Sequence, residues 1–285
     1  VYSEKPLAVE RGDGQAILRG AAERGLRVGC APDAFLGAGL QTARELLDAG
    51  RIGRPLAASA FFMGSGPESW HPDPDFFYQP GAGPLFDMGP YYLTALVSLL
   101  GGVSRVGGSA VTASTQRTIG SGARRGERVP VSVPTHVSAQ LGFEAGPVAT
   151  FIASFDVPAS ELPRMELYGS EGTLSLPDPN TFGGPLRVRG QGDDRWETVE
   201  LTRPFGDNAR GIGLADMLDA AACGEPQRAS GELAYHVLDV MHTVLDAAEQ
   251  GRTLEVASRA QRPAALPVRP AWLDRPAAPS RTRSS

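Results

Sequence analysis

Between Leu40 and Ala49 the apolar residues Leu40, Ala43, Leu46 and Leu47 recur at helical spacing and stop at Gly50, which predicts a helix ending on a glycine. Leu26 to Ala31 and Pro55 to Met63 are short apolar runs bounded by glycine or proline, and both read as strands. Another helix fits the stretch ending near Gly25. Strand and helix thus alternate, the pattern of α/β architecture with parallel strands. Beyond Val103 the period changes to two. In Thr135 to Phe143, Val137, Ala139, Leu141 and Phe143 share one face while His136, Ser138 and Gln140 share the other. Glu144-Ala145-Gly146 turns that run into Val148 to Val157, a hairpin. Further strands are predicted at Arg105 to Ala113, Arg164 to Tyr168, Thr173 to Leu176, Leu186 to Arg189 and Trp196 to Leu201. Together they predict a mostly antiparallel sheet with one face on helices. Helical spacing returns at Gly213 to Cys223 and Glu232 to Gln250.

The stretch Pro80 to Gly102, PGAGPLFDMGPYYLTALVSLLGG, organises the middle of the chain. Its Gly/Pro entry cannot continue a preceding element, and Pro84 suits the first position of a new helix. A helix is predicted to start there, with a kink or a later start at Pro90 as the alternatives. Leu85, Met88, Tyr92, Leu96 and Leu99 form an apolar face. Asp87, Tyr91, Thr94 and Ser98 form a second stripe, with Asp87 placed in the first turn where the helix dipole favours its anion. That stripe either lines a pocket or faces water.

Gly64 to Gly83 is a long loop carrying Trp70, His71, Phe76, Phe77 and Tyr78, and it feeds directly into this helix. Two readings stand: the aromatic residues wall a pocket, or they cover the core. GSGARRGE, Gly120 to Glu127, reads as a solvated, flexible loop whose Arg124-Arg125 pair is surface charge. From about Gln261 the Pro/Ala/Arg-rich residues have the composition of a disordered tail.

Composition narrows the function classes. With 285 residues, 41% hydrophobic and 21% charged, the chain has material for one large domain or two smaller ones. A net charge of -5 and the lack of a Lys/Arg run argue against a nucleic-acid surface. No apolar run reaches the roughly 20 residues of a membrane helix, and no signal peptide is read at the start. Cys30 and Cys223 lie far apart without metal or redox spacing, the pattern of buried reduced thiols in a cytoplasmic protein. His236, Asp239 and His242 suggest a metal, yet the two histidines sit six residues apart and cannot share one helix face. Surface or interhelix positions suit them better. Gly37-Ala38-Gly39-Leu40-Gln41-Thr42 superficially matches a dinucleotide fingerprint, but Thr42 stands where a glycine or alanine is required. It reads as an ordinary helix entry.

Four segments together resemble the Gfo/Idh/MocA family of nicotinamide-dependent oxidoreductases. Glu4-Lys5-Pro6 is similar to its E-K-P motif, Gly50-Arg51-Ile52-Gly53-Arg54-Pro55 to its G-x-I-G-x-P. Gly81-Ala82-Gly83-Pro84-Leu85-Phe86-Asp87-Met88-Gly89 resembles its G-G-G-x-L-x-D-x-G helix start, and Tyr168-Gly169-Ser170-Glu171-Gly172-Thr173-Leu174 its G-x-x-G-x-L strand pair. Each is weak alone. Their order and spacing together are specific.

The resemblance implies a partial Rossmann-type βα segment followed by an α/β (α+β) domain with a large, mostly antiparallel open sheet. It sets residues 1–35 as the remnant of an NAD(P)-binding domain and 36–260 as a substrate-binding and oligomerisation domain, with 261–285 as the tail. The strand-like Val1-Tyr2-Ser3 agrees with an expectation that the beginning of a larger protein is missing. The implied cofactor is NAD or NADP, contacted by Glu4, Lys5, Pro6 and Pro32. The implied substrate is a sugar, polyol or cyclitol, held by Lys5, Asp87, Tyr91, Thr94, Trp70 and His71. The implied assembly is a homo-oligomer through the sheet.

In the family, Lys5 matches the lysine that contacts substrate hydroxyl and nicotinamide ribose, and Asp87 the aspartate that orients substrate. Tyr91 stands where a histidine acid/base is common, as it does in the glucose-fructose oxidoreductase and dihydrodiol dehydrogenase branches. Thr94 replaces an aspartate. The chemistry agrees: losing a hydride from a carbinol needs a proton acceptor, and a free phenol, with a pKa of about 10, is a poor one at neutral pH. An ammonium such as Lys5 favours the phenolate. Because the two replacements alter the proton-transfer set, a second reading stays open: a sensor of the same fold that binds dinucleotide or sugar without chemistry. A third is an inactive fragment.

Overall fold

The computed structural model describes residues 1–274. Strands β1 (Tyr2–Ser3) and β2 (Gly29–Cys30) pair in parallel, with Tyr2 opposite Gly29 and Ser3 opposite Cys30. The crossover between them carries α1 (Arg11–Ala22), since parallel neighbours cannot be joined by a hairpin. The run from Leu26 to Ala31 shortens to two residues because only Gly29 and Cys30 meet β1. A single 3-10 turn over Ala34–Leu36, rather than a strand, leads into α2 (Ala38–Asp48). The glycines at its entry serve packing: a Cβ on Gly37 would lie 2.6 Å from Phe182 Cα, and one on Gly39 would overlap the Gly183 carbonyl.

β3 (Pro55–Met63) opens the main sheet over the range read from the sequence. After the aromatic loop comes α3 (Gly83–Leu100), then β4 (Val103–Val111), the short strands β5 (Gln116–Thr118) and β6 (Arg128–Pro130), β7 (His136–Phe143) and β8 (Val148–Ser154). β9 (Met165–Gly169), β10 (Gly172–Leu176), β11 (Arg187–Gly190) and β12 (Glu197–Thr198) continue the sheet outward. Helices α4 (Ile212–Cys223) and α5 (Gly231–Gln250) and strand β13 (Leu254–Glu255) follow. The nine-stranded sheet runs β12-β11-β10-β9-β3-β8-β7-β4-β13, and β3 with β8 is its one parallel pair. The fold is therefore α/β with a large, mostly antiparallel open sheet.

α3 and α5 pack on one face of this sheet and form the core with it. The alternation in β7 is as read: Val137, Ala139 and Leu141 are buried beneath the helices, whereas His136 and Ser138 are half-buried and Gln140 is exposed on the far side.

Several expectations are corrected. α3 is continuous through Pro90 and is buried over nearly all of its length, including Tyr91, Thr94 and Ser98, with Asp87 and Met88 half-buried. A proline inside a helix costs about 3 kcal/mol. Burying Tyr92, Leu93 and Leu96, each worth about 1.5–3 kcal/mol, outweighs it. Three of the four stripe residues therefore face packed protein rather than water, and Asp87, still 25% exposed, lies beyond the first turn. Residues 120–127 are not a free loop: they close the β5–β6 hairpin, and Arg124 pairs with Asp73, Asp75 and Glu127. Gln261 does not begin a disordered tail. Leu266 is 1% exposed and its N–H donates to Gln41 Oε1 at 2.7 Å, Arg262 pairs with Asp48 at 2.7 Å, and Trp272 stacks on Phe205. The rest of the predicted tail, 275–285, lies outside the described residues. Among the described residues no helix is long and apolar enough to cross a membrane.

Candidate active site

Lys5 emerges at the carboxyl end of β1, and Pro32 lies just past the carboxyl end of β2. The two strand ends are tied together, because Cys30 Sγ donates to the Glu4 carbonyl at 3.3 Å, while within the first of them Lys5 N donates to Glu4 Oε2 at 3.2 Å. The peptide bonds Lys5–Pro6 and Ala31–Pro32 are both cis. Burial pushes the Cys30 thiol up to about 11, so it stays protonated and is no nucleophile.

The Gly-rich entry brings α3 to this edge. Gly81 and Gly83 adopt φ of 85° and 75°, left-handed values that favour glycine. A Cβ on Gly81 would lie 2.6 Å from Val9 Cγ1. His242 Nε2 bonds to the Val9 carbonyl at 2.9 Å, with its ring edge-on to Phe86. The chain after Lys5 is thereby clamped between α3 and α5. Lys5 Nζ donates to Asp87 Oδ1 at 2.8 Å and to the Asp87 carbonyl at 2.5 Å. Two of its three ammonium donors are used. Tyr91, one helical turn beyond Asp87, presents its ring centroid 5.3 Å from Lys5 Nζ. Thr94, another turn on, lines a narrow cavity with Lys5, Pro6, Pro32 and Pro90.

Seven of the nine residues singled out in the sequence thus meet at one edge: Glu4, Lys5, Pro6, Pro32, Asp87, Tyr91 and Thr94. Trp70 and His71 are placed differently. Their rings pack on each other and on Phe76 and Phe77, and Trp70 is 65% exposed. Arg210, which sequence reasoning missed, lies with its guanidinium carbon 5.7 Å from the Tyr91 centroid. It stands in an irregular loop 119 residues after Tyr91, and no local pattern marks it.

The helix histidines are accounted for otherwise. His236 is fully buried; Val103 N donates to its Nε2 at 3.0 Å, which leaves Nδ1–H to donate to Ser258 Oγ at 2.8 Å. It is a core residue rather than a surface one, and burial pulls it down to about 4. Among the described residues no group of three His, Cys, Asp or Glu side chains could hold a metal ion.

Comparison with known proteins adds the lineage. Residues 40–175 match the family profile described as the GFO/IDH/MocA C-terminal domain. A dTDP-3,4-didehydro-2,6-dideoxy-alpha-D-glucose 3-reductase of Streptomyces violaceoruber is 32% identical over 235 residues, covering 81% of this chain and 61% of that protein. The chain belongs to the Gfo/Idh/MocA family. Its Gfo/Idh/MocA fold extends beyond the profile. A NAD binding oxidoreductase from Klebsiella pneumoniae superposes with a TM-score of 0.73 at 23% identity, over 90% of this chain and 74% of that one. A levoglucosan dehydrogenase solved with NADH and L-sorbose gives 0.73 at 20% identity, over 90% and 73%. The chain spans 61% of the length of the curated Gfo/Idh/MocA relative.

Proposed function

We propose that this chain forms the substrate side and proton-transfer set of a nicotinamide-dependent oxidoreductase acting on a carbinol or ketone of a sugar, polyol or cyclitol. The observation that carries the reading is the meeting of Lys5 with Asp87, 82 residues on, and with Tyr91 one turn beyond it. The sugar-directed names of the similar reductase and dehydrogenase support it.

The residues at the strand ends fit a nicotinamide cofactor, NAD or NADP. Ligands of parallel α/β units bind outside the carboxyl ends of the strands. Glu4, Lys5, Pro6 and Pro32 occupy that position, and Lys5 has a donor left for a ribose or substrate hydroxyl. In this reading residues 1–35 belong to the cofactor-binding unit. The bound nicotinamide supplies or accepts the hydride. Tyr91 holds the proton that leaves or returns to the substrate oxygen, so hydride and proton depart from the same carbinol to different acceptors. Lys5 donates to that oxygen and stabilises negative charge on the phenol oxygen or the substrate alkoxide. Asp87 fixes Lys5, and Thr94 offers a hydroxyl to the bound sugar. Trp70 and His71 have no part, since their ring contacts lie within the aromatic loop.

Tyr91→Phe tests the assignment. Turnover of the responsive sugar should fall about 10²–10⁴-fold while NADH affinity, read by fluorescence titration, holds. Unchanged turnover would sink it. NADH binding with no turnover on any sugar would favour the sensor reading.

The far face of the sheet is the proposed docking surface for a second copy. Val148, 48% exposed, borders a cavity of about 530 Å³ there with Phe61, Arg105, Gln140 and Tyr168, and Val111 is 55% exposed further along the same face. A monomer in sedimentation equilibrium would count against it.

A further inference from the structure

Arg210 is a second cation over the Tyr91 ring, and proton transfer gives it no role. It is exposed at the site, yet it is anchored. Its Nη2 donates to Asn180 Oδ1 at 2.7 Å and reaches the Asn180 carbonyl at 3.5 Å. Asn180 is held in turn, since its N–H donates to Asp178 Oδ1 at 2.9 Å. A guanidinium has five N–H donors in a planar fork. Among the described residues Asn180 alone accepts from it, and no carboxylate neutralises it.

The backbone amides at the start of α4 are already engaged. The amides of Gly211 and Gly213, which open α4, donate to Asp33 Oδ2 at 2.8 and 3.0 Å. Arg210 thus keeps unused donors beside the phenol, fixed by a ring on one flank and an amide on the other. An arginine so held, uncompensated and open to solvent, suits a phosphate, which accepts from the fork through two oxygens at once.

We propose that Arg210 is a specificity residue for the diphosphate of a nucleoside-diphosphate-linked sugar, so that the protein takes its sugar in nucleotide-linked form. The inference rests on the oxidoreductase reading and names its substrate class. A diphosphate on the anomeric oxygen stands just beyond the sugar ring, within a side chain's reach of a carbinol held at Tyr91. The reductase relative is named for a dTDP-linked sugar.

Calorimetric titration with thymidine 5′-diphosphate, and separately with NADH, tests it on the wild type, Arg210→Met, Arg210→Lys and Asn180→Ala. Arg210→Met should weaken thymidine diphosphate at least about tenfold and leave NADH within about twofold. Arg210→Lys should keep the charge, lose the fork and fall between. Asn180→Ala, which frees the guanidinium without removing it, should also be intermediate, and thermal melts confirm that each variant is folded. Thymidine diphosphate binding equally to wild type and Arg210→Met, or to neither, overturns the proposal. So does a loss falling on NADH instead, which would assign Arg210 to the cofactor. Because the titrations need no turnover, the expected losses in a protein that converts no sugar would uphold this inference while removing the oxidoreductase reading. Free-sugar turnover with wild-type KM in Arg210→Met and no thymidine diphosphate binding would do the reverse.

Discussion

Lys5 Nζ lies 2.8 Å from Asp87 Oδ1 and 2.5 Å from the Asp87 carbonyl, so a strand end and a helix 82 residues away share one ammonium. The two side chains remain 15% and 25% exposed, which puts the pair nearer the energetics of a surface salt bridge than of a buried one. A double-mutant cycle of Lys5→Met and Asp87→Ala, read by urea unfolding, should give a coupling energy of about 1 kcal/mol. Strictly additive losses would mean that the pair positions Lys5 without stabilising the fold.

His236 makes stability depend on acid. Burial, assisted by Arg259, pulls its imidazole from an ordinary 6.5 to about 4, against the opposing charge of Asp239. Protonating Nε2 would also turn a proton toward the Val103 N–H that it now accepts. Between those two values the unfolded chain binds the proton and the native protein does not. The stabilisation is thus intact above about pH 6.5 and is lost as pH falls toward 4, by about 3 kcal/mol. In His236→Gln the difference from wild type in unfolding free energy should shrink by that amount between pH 7.5 and 4. A difference that stays constant with pH would contradict the assignment.

What was legible in the sequence follows from which signals are local. β3, β7 and α5 were readable because their apolar periods match their own geometry and glycine or proline brackets them. The β5–β6 hairpin was not, since three-residue strands carry no period and Arg124 finds Asp73 and Asp75 only through the fold. Nor could pattern place α3: Asp87, Tyr91, Thr94 and Ser98 look like a wet face, and tertiary packing buries three of the four. Lys5 and Asp87 were paired through motif resemblance, because nothing in either segment points to the other. Arg210 had no local signal at all.

Gly39→Ala separates helix propensity from close packing. Inside a helix alanine is favoured over glycine by about 1 kcal/mol. At Gly39, however, the added Cβ would overlap the Gly183 carbonyl and lie 2.8 Å from Pro177 Cγ, and such overpacking costs about 1–3 kcal/mol. Backbone moves less readily than a side-chain tip, so the clash should win. Net destabilisation of up to about 2 kcal/mol is expected in urea unfolding. A stabilised Gly39→Ala would show that the loop around Gly183 yields freely.

Arg117 joins the aromatic loop to the sheet. It bridges Glu68 at 3.4 Å and Asp156, lies 5.8 Å from the Tyr78 centroid, and its partner Asp156 also accepts from Thr135 Oγ1 at 2.6 Å. Burial, with the hydrogen bond to Glu68, pushes the Tyr78 phenol up, so it stays a donor to that carboxylate. Removing one partner of a fully buried ion pair costs about 3–5 kcal/mol, because the other charge is left uncompensated. Here the three side chains are 11–16% exposed, so water recovers part of that. Arg117→Met should therefore destabilise the protein by about 2–3 kcal/mol, and Arg117→Lys by less because it retains the charge. Hydrogen exchange localises the effect: the amides of the β5–β6 hairpin and of residues 64–82 should lose protection before those of β7 and β8. Uniform loss across the sheet would mean that this network holds the whole core rather than the loop that leads into the Lys5–Asp87–Tyr91 edge.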